Sequence, residues 1–324
     1  HFIHNLIHSL PNHLFPYLYL GLPLIGILLT VSYKVFIMKG KLGHGIPNLL
    51  YTISKKSSLV ERDKTYSHLV SGTMTVGLGG SVGLEAPIVT TGAAFGANVG
   101  RALHLGYKHR TLLLGCGGSA AIAAIFNSPI AGVIFALEVL LLELSIPAFI
   151  PLLISAATGT LMSQMILGDK ILFSFSLTDP FNISELPYYL LLGILTGMVS
   201  LYFTRMTYKA EEWVRKIKHI YNRAIIGGIA LGIMIFVFPP LYGEGYHVIE
   251  NLLHNQSENL LANNFLFGGF ETSETFFLLF IGALILVKAL ASAFTISAGG
   301  NGGIFAPSLF IGAMLPFLFS ALSM

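Results

Sequence analysis

Glu85 is the only Asp, Glu, Lys or Arg among the 32 residues 69–100. A charged side chain at membrane depth costs about 2.5–3.5 kcal/mol on insertion scales, which makes it a functional candidate by default. Ionised, its carboxylate can occupy an anion site; protonated, it can leave. One side chain thus supplies both a gate and a proton acceptor. Glu85 stands inside Gly79-Gly80-Ser81-Val82-Gly83-Leu84-Glu85-Ala86-Pro87, and 220 positions later the chain reads Gly299-Gly300-Asn301-Gly302-Gly303-Ile304-Phe305-Ala306-Pro307. At that offset seven of fifteen positions are identical between 79–93 and 299–313, which points to an internal duplication. In each copy glycines allow backbone shapes closed to other residues, and a Pro follows where a helix can begin. Each copy then offers free N–H groups and the positive end of a helix dipole, a ready anion site. Gly43-His44-Gly45-Ile46-Pro47 has the same character. Three such helix starts meeting at mid-membrane would cradle an anion without a full buried cation.

The elements that position these segments must cross a bilayer. The 324 residues are 54% hydrophobic and 10% charged, against about 25% charged in soluble domains, which excludes an ordinary water-soluble protein. A mean hydropathy of +0.76 excludes a disordered chain. The net charge of +3 is too small to indicate nucleic acid as a partner. Cys116, the single cysteine, can form no internal disulfide. Uncharged stretches at 111–137, 144–168, 186–204, 224–243 and 289–324, with 17–38 interrupted only by Lys34, approach or exceed the roughly 20 residues of a spanning helix. Gly115-Cys116-Gly117-Gly118, Asn127-Ser128-Pro129 and Ser297 to Pro307 predict interrupted helices of the kind whose two repeats meet around a midplane site.

Loop charge orients the chain, because Lys and Arg stay cytoplasmic. Residues 205–223 hold six Lys or Arg, whereas 244–274 hold five Glu and no Lys or Arg. The first segment is expected inside; the second, with the acidic linker 169–185, is expected outside. His1 at the start and an apolar run ending at Met324 suggest a fragment of a longer chain.

In sequence order these segments resemble the CLC family of chloride channels and chloride/proton antiporters. Gly43 to Pro47 is similar to its first anion-binding segment, Gly83 to Pro87 to its second, and Gly303 to Pro307 to its third. Ala124-Ile125-Phe126-Asn127-Ser128-Pro129-Ile130-Ala131-Gly132-Val133-Ile134-Phe135-Ala136-Leu137-Glu138 resembles a further family run. The resemblance implies an all-α polytopic membrane protein, a CLC-type inverted-repeat bundle with interrupted helices meeting at the midplane. It implies one transmembrane domain over 1–324, with a first repeat at roughly 14–168 and an incomplete second at roughly 186–324, and no cytoplasmic regulatory domain in this chain. Glu85 becomes the external gate and proton acceptor. His44, Gly45 and Ile46 of the first segment, with Ala86, Ile304, Phe305 and Ala306, become the anion-binding set: the amides of Ile304 and Phe305 hold a central anion, and those near Ala86, Phe305 and Ala306 an outer one. The partners implied are chloride or a similar small anion, protons where transport is coupled, the lipid bilayer and a second identical subunit. The location implied is the plasma or inner membrane.

Departures from the family pattern carry information. His44 replaces the usual Ser, putting a titratable imidazole at the central anion. Leu84 replaces the usual Arg or Lys, which weakens anion attraction at the outer mouth. The inner proton-transfer glutamate position of many antiporters falls on Val139, next to Glu138. That favours a passive voltage- or pH-gated channel, with a proton-coupled antiporter using another inner route as the alternative. Phe305 and Ala306 stand where the fluoride-exporting branch usually has Glu and Thr, so chloride is preferred.

Other signals are weaker. His4 and His8 have metal-like spacing without a nearby carboxylate or Cys, so they read as a polar helix face, and neither metal nor cofactor is expected. Lys288 sits between apolar runs, where it can snorkel or pair with an acid. Trp213 reads as an interfacial anchor. An intramembrane oxidoreductase would need His ligands at depth, yet the uncharged spans contain none. Neither a Gly-x-Ser-x-Gly elbow nor a His-Glu-x-x-His is visible, so no enzyme is expected.

Overall fold

The computed structural model describes residues 15–40, 45–140, 146–168, 182–254, 260 and 274–323. These form twelve α-helices: α1 (Phe15–Ser32), α2 (Gly45–Lys55), α3 (Lys64–Gly77), α4 (Glu85–Ala102), α5 (Tyr107–Phe126), α6 (Pro129–Phe135), α7 (Ile146–Leu167), α8 (Leu186–Arg215), α9 (Ile220–Val237), α10 (Tyr246–Leu253), α11 (Glu274–Ser297) and α12 (Phe305–Ser323). Among the described residues seven helical segments are long and apolar enough to cross a membrane. The all-helical class follows from burial in lipid, where each backbone N–H must be satisfied within its own segment.

Two of the three expected interruptions are present. Asn127 turns left-handed (φ 51°) between α5 and α6, and α11 and α12 are separated at Gly299, with φ 109°. The third is absent: α5 runs unbroken through Gly115 to Gly118. Those glycines serve packing instead. A Cβ on Gly117 would fall 2.0 Å from the Gly92 carbonyl oxygen of α4, and one on Gly118 would fall 2.3 Å from a methyl of Leu140. Small residues let membrane helices approach backbone to backbone, so glycine here is a contact surface and not a break.

Span limits also differ from the hydropathy reading. Helix α8 continues to Arg215, so Arg205, Lys209 and Arg215 lie on a helix, and the turn to α9 occupies 216–219. The apolar run 289–324 belongs to two helices, and the first of them begins before Lys288. Charge ended both stretches in the hydropathy count, but a charged side chain does not by itself end a helix.

Among the described residues the core forms two large clusters and a small one at Tyr33 and Met38. One large cluster gathers α4 to α7 with α2; the other gathers α8 to α12 and also takes Ile27 and Val31 of α1. The first helix therefore buries its apolar face in the second half, and the halves interlock.

Candidate anion pathway

The junction of the two copies is built from backbone. Gly83 donates to the Gly303 carbonyl at 2.9 Å, and Gly303 donates back to Gly83 at 2.8 Å, an isolated antiparallel bridge. Upstream the symmetry continues. Gly80 donates to the Thr75 carbonyl and Gly300 to the Thr295 carbonyl; the Asn301 N–H then donates to Thr75 Oγ1 at 2.9 Å, and the Ser81 N–H to Thr295 Oγ1 at 3.3 Å. Thr75 and Thr295 are also 220 apart, so the structural repeat begins before the Gly-rich segments that reveal it in sequence.

Three helices start alike. Pro47, Pro87 and Pro307 are each the third residue of their helix, following Gly45, Glu85 and Phe305 at the first position. A Pro in the first turn gives up an N–H that has no intrahelical partner. The starts lie close together: Cβ atoms placed on Gly45 and Gly303 would stand 3.4 and 2.9 Å from the Ala86 Cβ, and one on Gly83 would stand 2.9 Å from the Ala306 Cβ. At Gly83 and Gly303 an added side chain would force the starts apart.

The Glu85 side chain, 3% exposed, fills this convergence. Its carboxylate lies near its own backbone N–H and that of Ala306 on α12; Oε1 accepts from the Tyr246 hydroxyl of α10, while the buried Oε2 makes no hydrogen bond among the described residues. Ala86 and Ala306 are buried beside it, while Ile304 and Phe305 remain about half exposed, with the Phe305 ring edge-on to Phe126 at 5.7 Å. Gly45 and Ile46 open α2 against α4. His44 lies outside the described residues, as do His4 and His8. Val139 sits in a π-turn, Ala136–Leu140, packed against the first core, next to an exposed Glu138.

Three side chains at this site were not assigned from sequence. Tyr246 caps the Glu85 carboxylate. Glu244 Oε1 accepts from the Leu84 N–H at 2.9 Å, at the very start of α4. Lys288 neither snorkels nor reaches solvent: it is 0% exposed, and its Nζ donates to Ser81 Oγ at 2.9 Å and to the carbonyls of Gly243 and Glu244 at 3.2 and 3.4 Å. The Phe310 ring centroid lies 4.9 Å from the same ammonium. The available signal was Gly243-Glu244-Gly245, an acid between two glycines that take positive φ (66° and 90°) and turn the chain back into the protein.

The profile of the voltage gated chloride channel family matches residues 25–324. The chain belongs to this family. A curated relative, the H(+)/Cl(-) exchange transporter ClcA of Vibrio vulnificus strain YJ016, is 28% identical over 259 residues, covering 77% of this chain and 51% of its own length. The solved structure of a CLC-type fluoride/proton antiporter superposes with a TM-score of 0.76 at 25% identity, over 98% of this chain and 75% of that one. A slow cyanobacterial Cl-/H+ antiporter shares the fold, with a TM-score of 0.78 at 22% identity, over 97% of this chain and 70% of that one. Three further curated relatives are matched over 61%, 34% and 66% of their length, so this CLC chain spans about a third to two thirds of them. Family membership, with the seven apolar helices, makes the chain an integral membrane protein.

Proposed function

We propose that this CLC chain carries chloride across a membrane by a pathway that Glu85 gates. The observation that carries the reading is the place of the Glu85 carboxylate. It faces the Ala306 N–H at the junction of two helix starts, where an anion would otherwise be held, so the carboxylate stands in for a bound anion and closes the path. Protonation removes the charge that holds it there, and the vacated N–H groups donate to chloride. Ala86, Ile304, Phe305 and Ala306 bind the anion through backbone, and Gly45, Ile46 and His44 complete the anion-binding set. No enzyme chemistry or cofactor is needed for this.

Passive conduction is the favoured mode, because Val139 puts an apolar side chain where a relay from the cytoplasm would need a carboxylate. Coupled exchange remains the second reading, supported by the chain's likeness to an exchange transporter and to antiporters. Chloride is preferred to fluoride because Phe305 offers a ring and Ala306 a methyl in place of polar groups. A homodimer with one pathway per subunit in the plasma or inner membrane completes the proposal. The test is the zero-current voltage of reconstituted full-length protein under a fixed chloride gradient, with and without a pH gradient. A voltage set by chloride alone supports a channel; displacement by the pH gradient supports exchange; no anion current rejects both.

A further inference from the structure

The carboxylate of Glu244 is not needed to hold an anion, yet it sits on the same helix start as the gate. It reaches across from the second half, out of the turn between α9 and α10, to take the N–H of Leu84, the residue immediately before Glu85. Leu84 brings no positive charge to this mouth. The positive charge comes instead from Lys288 on α11, fully buried and bonded to the carbonyls that flank the Glu244 peptide. Its charge acts on Glu244 and on Glu85 together. Tyr246 of α10, two residues beyond Glu244, donates to Glu85. The titratable groups facing Glu244 are therefore Glu85 from α4, Tyr246 from α10 and Lys288 from α11. Two carboxylates share one ammonium.

We propose that Glu244 is a positioning residue for the gate, whose negative charge beside Glu85 sets the external pH at which Glu85 takes up a proton and leaves the anion site. The physical cause is repulsion between like charges in a poorly solvated site, which favours a proton on one of the two. Burial, and then the Glu85 carboxylate beside it, push the Glu244 carboxyl up to about 7, against the pull of the Leu84 N–H and Lys288. The inference rests on Glu85 being the gate.

The test is chloride efflux from liposomes bearing the full-length protein, measured against external pH for the wild type, Glu244→Gln and Glu85→Gln. Glutamine keeps an acceptor for the Leu84 N–H and removes only the charge. Glu244→Gln is expected to move the midpoint of activation about one pH unit toward acid. Glu85→Gln is expected to flatten the profile. A flat Glu85→Gln profile with an unmoved or alkaline-shifted Glu244→Gln midpoint overturns the role of Glu244 alone; a wild-type profile in Glu85→Gln overturns the gate itself. Should Glu244→Gln fail to fold, infrared difference spectra of Glu85→Gln decide. Compared with wild type, a carboxyl C=O band whose midpoint moves toward acid in Glu85→Gln supports repulsion between the two carboxylates, and a band with the same midpoint in both proteins overturns the proposal.

Discussion

Gly83 and Gly303 exchange N–H to carbonyl hydrogen bonds across the interface of the two repeats, and each would clash with the other half if it carried a side chain. A Cβ on Gly83 would lie 1.9 Å from Glu85 Oε2, and one on Gly303 would lie 2.9 Å from the Ala86 Cβ. The junction that brings the helix starts together is therefore also the wall against which the gate rests. Gly83→Ala is expected to push the carboxylate out of its site, raising chloride efflux at neutral pH about tenfold. That factor corresponds to losing roughly one charge-assisted hydrogen bond of about 1.5 kcal/mol. An efflux rate equal to wild type would show that the gate does not occupy this wall.

Tyr246 holds the other carboxylate oxygen. Tyr246→Phe keeps the ring and removes the donor, so the ionised gate loses a hydrogen bond worth about 1.5–3 kcal/mol. Neutral-pH efflux should rise and its activation midpoint should move toward alkaline pH, because the protonated gate gains little from the hydroxyl. Efflux against external pH, compared with wild type, checks this.

The reciprocal threonines give a stability prediction. Thr75 Oγ1 accepts from the Asn301 N–H at 2.9 Å, donates to the Ser71 carbonyl and lies 2.8 Å from Thr30 Oγ1, whereas the Thr295 hydroxyl accepts from Ser81 at 3.3 Å and donates to Ala291. Valine is close in size, so Thr75→Val and Thr295→Val mainly leave a buried N–H unpaired, at about 1–3 kcal/mol. Thr75→Val should cost more, since it also strips a partner from Thr30. Thermal unfolding in detergent ranks the two; equal melting temperatures would contradict the asymmetry.

How much of this was legible in sequence depends on how local the physics is. Gly and Pro act on their own backbone, so the helix starts at Gly45, Glu85 and Phe305 and the breaks at Asn127 and Gly299 could be read from the chain. The same residue types misled at Gly115 to Gly118, where close approach to α4 uses them inside a helix. Glu85 was legible because a lone acid in an apolar run has few explanations. Glu244, Tyr246 and Lys288 were not, since their meaning arises where three distant elements meet. Lys288 also hid the true start of α11 by interrupting the hydropathy of a continuous helix.

Close packing of α4 on α5 can be tested with a matched pair of glycines. A Cβ on Gly96 would fall 2.0 Å from the Leu113 carbonyl oxygen, while one on Gly193 of α8 meets nothing within 4 Å. Gly96→Ala should force the helices apart and lose most of the folded protein. Gly193→Ala should be neutral or slightly stabilising, because alanine favours helix over glycine by about 0.8–1.0 kcal/mol. Yields of monodisperse protein on size-exclusion chromatography measure both. Equal yields would place the α4–α5 contact elsewhere.

The Glu85 carboxylate is expected to occupy an anion site at the Ala306 N–H. Bromide scatters anomalously and can replace chloride, so crystals of wild type and of Glu85→Ala soaked in bromide give the most direct answer. A bromide peak is expected at the N–H of Ala306 in Glu85→Ala and not in the wild type. A peak there in both proteins, or in neither, would contradict that occupancy.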